Sequence, residues 1–233
     1  MYVYVLQHGS HEGPGALGTF LESRGVDLVT FDLCGVSNLP ARLDETGAVL
    51  SVGWPGSIGE EERYPLLREE ERLLREAVGL GIPVLGICLG AHVLAKACGA
   101  QITKAPVSEI GFARVSLTPE GLGDPLLRGV RNHFDVFQWD ENMFAVPEQG
   151  VLMAQGESCR NQAFRYGSNA YGLQFHLDVT SDMIKKCLSE TPDGDKTMQS
   201  WEQETESLKA TAHLIYVNFL GIILQSKHLR KTG

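Results

Sequence analysis

The apolar run Ile82-Pro83-Val84-Leu85-Gly86-Ile87-Cys88 passes without a linker into Leu89-Gly90-Ala91-His92-Val93-Leu94-Ala95-Lys96-Ala97, a segment of helical composition. A buried strand that turns straight into a helix is a unit of parallel α/β architecture, where reactive groups collect at the carboxyl ends of strands. Cys88 stands at such an end, between Gly86 and Gly90. That is the arrangement of a nucleophile elbow, in which a tight turn holds the side chain on strained backbone and glycines clear the space around it. A helix starting at Leu89 directs its unpaired N–H groups at the sulfur, which favours a thiolate and a developing oxyanion. The competing reading is an ordinary buried cysteine, and a partner base decides between the two.

The surrounding rhythm agrees with the turn. Residues 2–7, 26–31 and 48–52 read as buried strands and 15–24 as a helix. Leu66-Leu67, Leu73-Leu74 and Ala77-Val78 recur at helical spacing among Glu and Arg before the strand that leads to Cys88. A β-α-β-α order implies a mostly parallel sheet with helices on both faces. The second half predicts shorter strands at 112–117, 134–139, 151–154, 162–166 and 171–175, separated by turn residues and suited to an antiparallel extension. A short helix is expected at 181–189, a polar loop at 191–200, and a long helix carrying Leu208, Ala212, Ile215, Phe219 and Ile222. The 233 residues suffice for one domain, 1–233.

Composition narrows the partners. Five cysteines (34, 88, 98, 159 and 187) form no close pair, and the first residues already read as a strand, so a reducing cytoplasm is expected. The most apolar stretch, 213–224, is interrupted by Asn218 and Gly221 and is shorter than the ~20 residues of a spanning helix, so no membrane is expected. Net charge is −9 with no dense basic cluster, which argues against nucleic acid. No His/Cys spacing suggests a metal, and no phosphate-binding glycine motif suggests a nucleotide, so no cofactor is implied.

The base is found far along the chain, in Gly172-Leu173-Gln174-Phe175-His176-Leu177-Asp178. If the strand stays extended, His176 and Asp178 face the same side, where a carboxylate can orient an imidazole. Cys88, His176 and Asp178 then make a thiol acyl-transfer set at the mouth of a shared crevice; a strand end capped by His and Asp is the alternative.

The elbow, together with Gly172-Leu173-Gln174-Phe175-His176, resembles the class I glutamine amidotransferase family, and Gln174-Phe175-His176-Leu177-Asp178-Val179-Thr180 resembles its GMP-synthase-like stand-alone branch. Leu6-Gln7-His8, Glu12-Gly13-Pro14-Gly15, Glu109-Ile110-Gly111-Phe112 and Asn161-Gln162-Ala163-Phe164-Arg165-Tyr166 agree with that branch. The resemblance implies a flavodoxin-like sheet and a Cys-His-acid triad that releases ammonia from glutamine through a γ-glutamyl thioester. It also implies that an ammonia acceptor, a synthetase, is a separate polypeptide or absent.

Four positions depart from the family pattern. Asp178 stands where a glutamate is usual, one methylene shorter. Gly53-Trp54-Pro55 replaces Gly-Gly-Pro, so the oxyanion would be held by the main-chain N–H groups of Leu89 and Trp54, with Gly53 lining the substrate. His92 replaces a glutamine that holds the substrate, and Trp139-Asp140-Glu141-Asn142 replaces Trp-His-Gly-Asp. The expected activity is hydrolysis of glutamine or a related small γ-glutamyl amide. The alternatives are a γ-glutamyl peptidase or hydrolase, and a regulatory or binding subunit that keeps the fold.

Overall fold

The computed structural model describes residues 1–9, 13–33, 39–43, 45–53, 66–188 and 194–232. Among the described residues, nine strands form one mixed sheet. In chain order the elements are β1 (Tyr2–Gln7), α1 (Gly15–Ser23), β2 (Asp27–Asp32), β3 (Thr46–Gly53), α2 (Leu66–Gly79), β4 (Val84–Cys88) and α3 (Leu89–Ala97). They are followed by β5 (Ile102–Leu117), α4 (Pro119–Leu122), β6 (His133–Phe144), β7 (Gly150–Gly156), β8 (Asn161–Tyr166), β9 (Ala170–Leu173), α5 (Ser181–Leu188) and α6 (Gly194–Thr232).

The strand order is β2-β1-β3-β4-β9-β8-β7-β5-β6. The first five are parallel neighbours and the rest pair antiparallel. The parallel part has the flavodoxin-like order, and the extension follows as the short second-half strands imply. β3 and β4 are buried along their whole length, which is why they read as unbroken apolar runs instead of alternating ones.

Side chains alternate between two core layers with the period of two that a strand dictates. Val3, Val5, Leu50, Val52, Leu85 and Ile87 face the layer built with Leu17 and Leu21 of α1 and Leu208, Ile215 and Phe219 of α6. Leu6, Val49 and Val84 face the layer of Leu67, Leu73 and Leu74 of α2 and Val93 and Leu94 of α3. The antiparallel arm curls until β6, last in the order, returns to the middle of the sheet, where Phe137 bridges His176.

Two expectations are corrected. Residues 194–200, assigned to a polar loop, are the first turns of α6; residues 191–193 lie outside the described residues. The strand after residue 171 ends at Leu173 and does not run on to Asp178. The span Trp201–Leu229 is long and apolar enough to cross a membrane by length and composition, unlike the shorter stretch read from sequence. Its Leu208, Ala212, Ile215, Phe219 and Ile223 are buried in the core. Glu12, Cys34, Trp54 and Pro55 lie outside the described residues.

Candidate active site

Cys88 closes β4 with φ 51° and ψ −111°, the one non-glycine residue with positive φ among the described residues. Left-handed backbone on a residue with a Cβ costs of order 1–3 kcal/mol and persists only where its surroundings dictate it. Here they do. Leu89 begins α3 in the next position, and Gly90 presses against β3, where an added Cβ would stand 2.0 Å from the Ser51 carbonyl oxygen. The main-chain N–H of Leu89 is among those that the first turn of a helix leaves without an intrahelical acceptor.

His176 and Asp178 do meet, although not on an extended strand. The Nδ1–H of His176 donates to Asp178 Oδ1 at 3.2 Å, so the shorter acid spans the distance directly. The contact assigns the ring proton to Nδ1 and makes Nε2 the basic nitrogen. The peptide carrying Asp178 is held from two sides. The Ala16 N–H donates to the Asp178 carbonyl at 2.8 Å, and the Tyr216 hydroxyl donates to the Leu177 carbonyl. Burial, then the Asp178 carboxylate, pushes the Tyr216 hydroxyl pKa up, so it remains a donor.

β6 connects the two halves. The Cys88 thiol lies 3.8 Å from the Trp139 carbonyl oxygen, and the His176 N–H donates to the Phe137 carbonyl at 2.8 Å. Carbonyls two residues apart on a strand point to the same edge. The Cys88 thiol and the His176 main chain therefore address one edge of β6 in adjacent registers. Both are buried, Cys88 at 1% and His176 at 0% exposure, so the thiol lies beneath the surface instead of at an open crevice mouth. Of the other described cysteines, burial pushes the Cys98 and Cys159 thiols up to about 12, which leaves them inert at neutral pH.

Among the remaining expected residues, Gly53 is the Cα partner of Cys88 across β3 and β4. Trp54, expected as the second oxyanion donor, is outside the described residues. His92, one helical turn beyond Cys88, points into a buried polar cluster. Its Nε2 contacts Gln174 Oε1 at 3.0 Å and lies 3.5 Å from Asp140 Oδ2, while Gln174 Nε2 donates to the same Asp140 oxygen. Asp140 Oδ1 accepts the N–H groups of Glu141 and Asn142 at 2.8 and 3.0 Å. The substitutions at 92 and 140 thus face each other. Among the described residues, no group of three or more His, Cys, Asp or Glu is placed to hold a metal ion.

Sequence reading assigns no role to Gly15, Tyr216 or Glu70. A signal for Glu70 is present in the chain: it falls between Leu67 and Leu74 at helical spacing, a carboxylate on the apolar face of α2, and is fully buried.

Comparison with known proteins identifies the family and the fold. Residues 22–190 match the family model of the class I glutamine amidotransferases. The glutamine amidotransferase-like protein YfeJ of Salmonella typhimurium is 31% identical over 188 residues, covering 79% of each chain. One of the subunits of the glutamine-hydrolyzing GMP synthase of Methanoculleus marisnigri is 33% identical over 117 residues, 49% of this chain and 62% of that protein. The GMP synthase of Teredinibacter turnerae matches 75% of this chain at 28% identity, a match that spans 32% of that longer protein. A crystal structure of a Thermotoga maritima glutamine amidotransferase superposes with a TM-score of 0.85 at 26% identity, covering 96% of this chain and 98% of that one. A sheet of flavodoxin-like order, a cysteine on strained backbone where β4 meets α3, and a family match over most of the length place this chain in the class I glutamine amidotransferase family.

Proposed function

We propose that the chain hydrolyses the side-chain amide of glutamine, or of a closely related γ-glutamyl compound, through a thioester on Cys88. The observation that carries this reading is the placement of Cys88 and His176 along one edge of β6, with Asp178 bonded to the imidazole. Nε2 of His176 takes the thiol proton as Sγ attacks the amide carbon. The tetrahedral oxyanion is held by the Leu89 N–H, with the Trp54 N–H as its second donor. When the intermediate collapses, the C–N bond breaks and the imidazolium returns its proton to the leaving nitrogen as ammonia departs. Water, deprotonated by His176, then attacks the thioester, which frees the γ-carboxylate and restores the thiol. Asp178 keeps the imidazole in the productive tautomer throughout.

His92 contributes to the substrate side through Gln174 and Asp140, which shape the β6 segment after Trp139. A γ-glutamyl peptide substrate is the second reading, favoured by the His92–Asp140 contact in place of the family's residues. The ammonia acceptor would be a separate polypeptide in the cytoplasm, by analogy with the Methanoculleus marisnigri relative, which is named as one subunit of a GMP synthase.

The test is ammonia release from L-glutamine by the wild type, Cys88→Ala and His176→Ala. Turnover by the wild type is expected to fall by at least about 10³ in either variant while the folded spectrum is kept. Release from γ-glutamyl peptides alone supports the second reading. No release from either substrate leaves the regulatory or binding role.

A further inference from the structure

The fully buried carboxylate of Glu70 is held from two sides. Oε1 accepts from the Ser51 hydroxyl at 2.6 Å, and Oε2 lies 2.7 Å from His8 Nε2. The other ring nitrogen of His8, Nδ1, lies 2.9 Å from the Val52 carbonyl oxygen. A carbonyl only accepts, so Nδ1 carries a proton. Nε2 then faces a carboxyl oxygen at 2.7 Å, a separation at which two lone pairs repel, so a second proton lies between His8 and Glu70. Whether imidazolium with carboxylate or imidazole with carboxylic acid, the pair holds one proton more than its separately deprotonated members would.

This unit grips the end of β3 beside the nucleophile. Val52's carbonyl accepts both the ring Nδ1–H and, at 3.2 Å, the main-chain N–H of His8, locking the residue after β1 onto β3. Gly53 follows, with the imidazole so close that a Cβ there would meet Nδ1 at 2.2 Å. Gly53 pairs with Cys88, and Ser51 supports Gly90 behind the elbow. Glu70 thereby ties α2, β1 and the three residues of β3 that abut the β4–α3 turn into one rigid piece.

We infer that Glu70, His8 and Ser51 form a proton-bearing clamp that positions the β3 end against the Cys88 elbow, with Glu70 and His8 acting as positioning residues for acylation. The clamp keeps the backbone at Gly53 aimed at the substrate carbonyl. Cys88 keeps its base on the other side, from the segment after β9. The inference rests on the hydrolase reading for its rate consequence, whereas the shared proton does not depend on it.

The experiment compares the wild type with Glu70→Gln, which preserves the shape but cannot keep His8 doubly protonated as a partner charge, and with Ser51→Ala. Ammonia release from L-glutamine, alkylation of Cys88 by iodoacetamide without substrate, and the ring-nitrogen NMR spectrum of His8, assigned with His8→Gln, are measured on folded protein. In Glu70→Gln, kcat is expected to fall roughly 10- to 100-fold with KM within about twofold, the cost of misplacing a reacting carbonyl by a fraction of an ångström to an ångström. Cys88 alkylation is expected to stay within about twofold of wild type, because the thiol and His176 are not displaced. Both His8 ring nitrogens are expected to bear or share a proton in the wild type, and one fewer proton is expected in the variant. An unchanged kcat, a parallel fall in kcat and alkylation, or a His8 with a bare Nε2 would overturn the clamp. A wild type that alkylates normally yet releases no ammonia overturns the hydrolase reading instead, and the His8 spectrum then decides whether the clamp exists.

Discussion

Gly15 is a residue without a side chain on which the proposed chemistry depends. It starts α1 with φ +45°, and a Cβ there would stand 2.0 Å from the carbonyl oxygen of Asp178. Gly15→Ala therefore meets two penalties at once: left-handed backbone, of order 1 kcal/mol, and displacement of the peptide that carries Asp178, the proposed triad acid. It is expected to lower kcat for ammonia release more than tenfold at temperatures where circular dichroism still reports folded protein. An unchanged rate in a folded variant would show that the Asp178 peptide tolerates the shift. Asp178→Asn tests the carboxylate itself: the amide allows the wrong imidazole tautomer, and kcat is expected to fall by on the order of 10³–10⁴ with little change in melting temperature. Cys88, His176 and Asp178 are readable in sequence because each belongs to a short local motif. Gly15, Tyr216 and Glu70 escape such a reading because their importance lies in contacts with residues far along the chain: Asp178, Leu177, and His8 with Ser51.

At the scale of elements, the β5–β6 arm carries a charge conflict of its own. Glu109 is the Cα partner of Asp140 next to a register shift in β5. Its carboxyl pKa is raised, first by burial and, against hydrogen bonds from Gln162 and others, by the Asp140 charge. An acid with a folded pKa above its unfolded value binds more protons when folded, so stability falls as pH rises through the interval between the two. The cost is fully present above the raised value and is relieved as pH falls toward the ordinary carboxylate range. Glu109→Gln keeps an acceptor for Gln162 and removes the charge. It is expected to raise the melting temperature at pH 7 and to leave it nearly unchanged at pH 4, as measured by thermal melts across that range. A variant less stable than wild type at pH 7 would mean that the hydrogen bonds outweigh the desolvation. The same arm is only half legible in sequence. Residues 112–117 alternate clearly, but the first part of β5 is mostly exposed and offers no buried periodicity, and its partner is set by the curl of the sheet. The start of α6 is hidden for a related reason. Its first residues are polar, and what anchors the segment is Trp201, tilted against Phe112 and edge-on to Phe137, with its N–H donated to Ser181 at 3.2 Å.

The site as a whole is assembled from β3, the β4–α3 turn, β6 and the segment after β9, with α1 and α6 behind it, so stability and activity need not respond together to changes in the supporting layer. α6 separates the two. Phe219 is fully buried in the layer against the parallel strands, whereas Tyr216, one turn earlier, donates its hydroxyl to the Leu177 carbonyl beside Asp178. Phe219→Ala leaves a cavity and is expected to cost about 3–5 kcal/mol. The surviving folded fraction is expected to retain the wild-type kcat, because a phenyl ring carries no polar atom with which to hold the Leu177–Asp178 peptide. Tyr216→Phe removes one buried hydrogen bond and is expected to cost only about 1 kcal/mol, yet to lower kcat several-fold by releasing the Leu177–Asp178 peptide. Urea melts paired with ammonia release, the latter measured well below each variant's unfolding midpoint, give both quantities. If the two substitutions changed kcat in proportion to their stability costs, α6 would be acting on the site through global packing alone. A rate loss confined to Tyr216→Phe would instead show that the helix supports catalysis through one directed hydrogen bond, which is what the opposed contacts on the Asp178 segment, Tyr216 from α6 and Ala16 from α1, require.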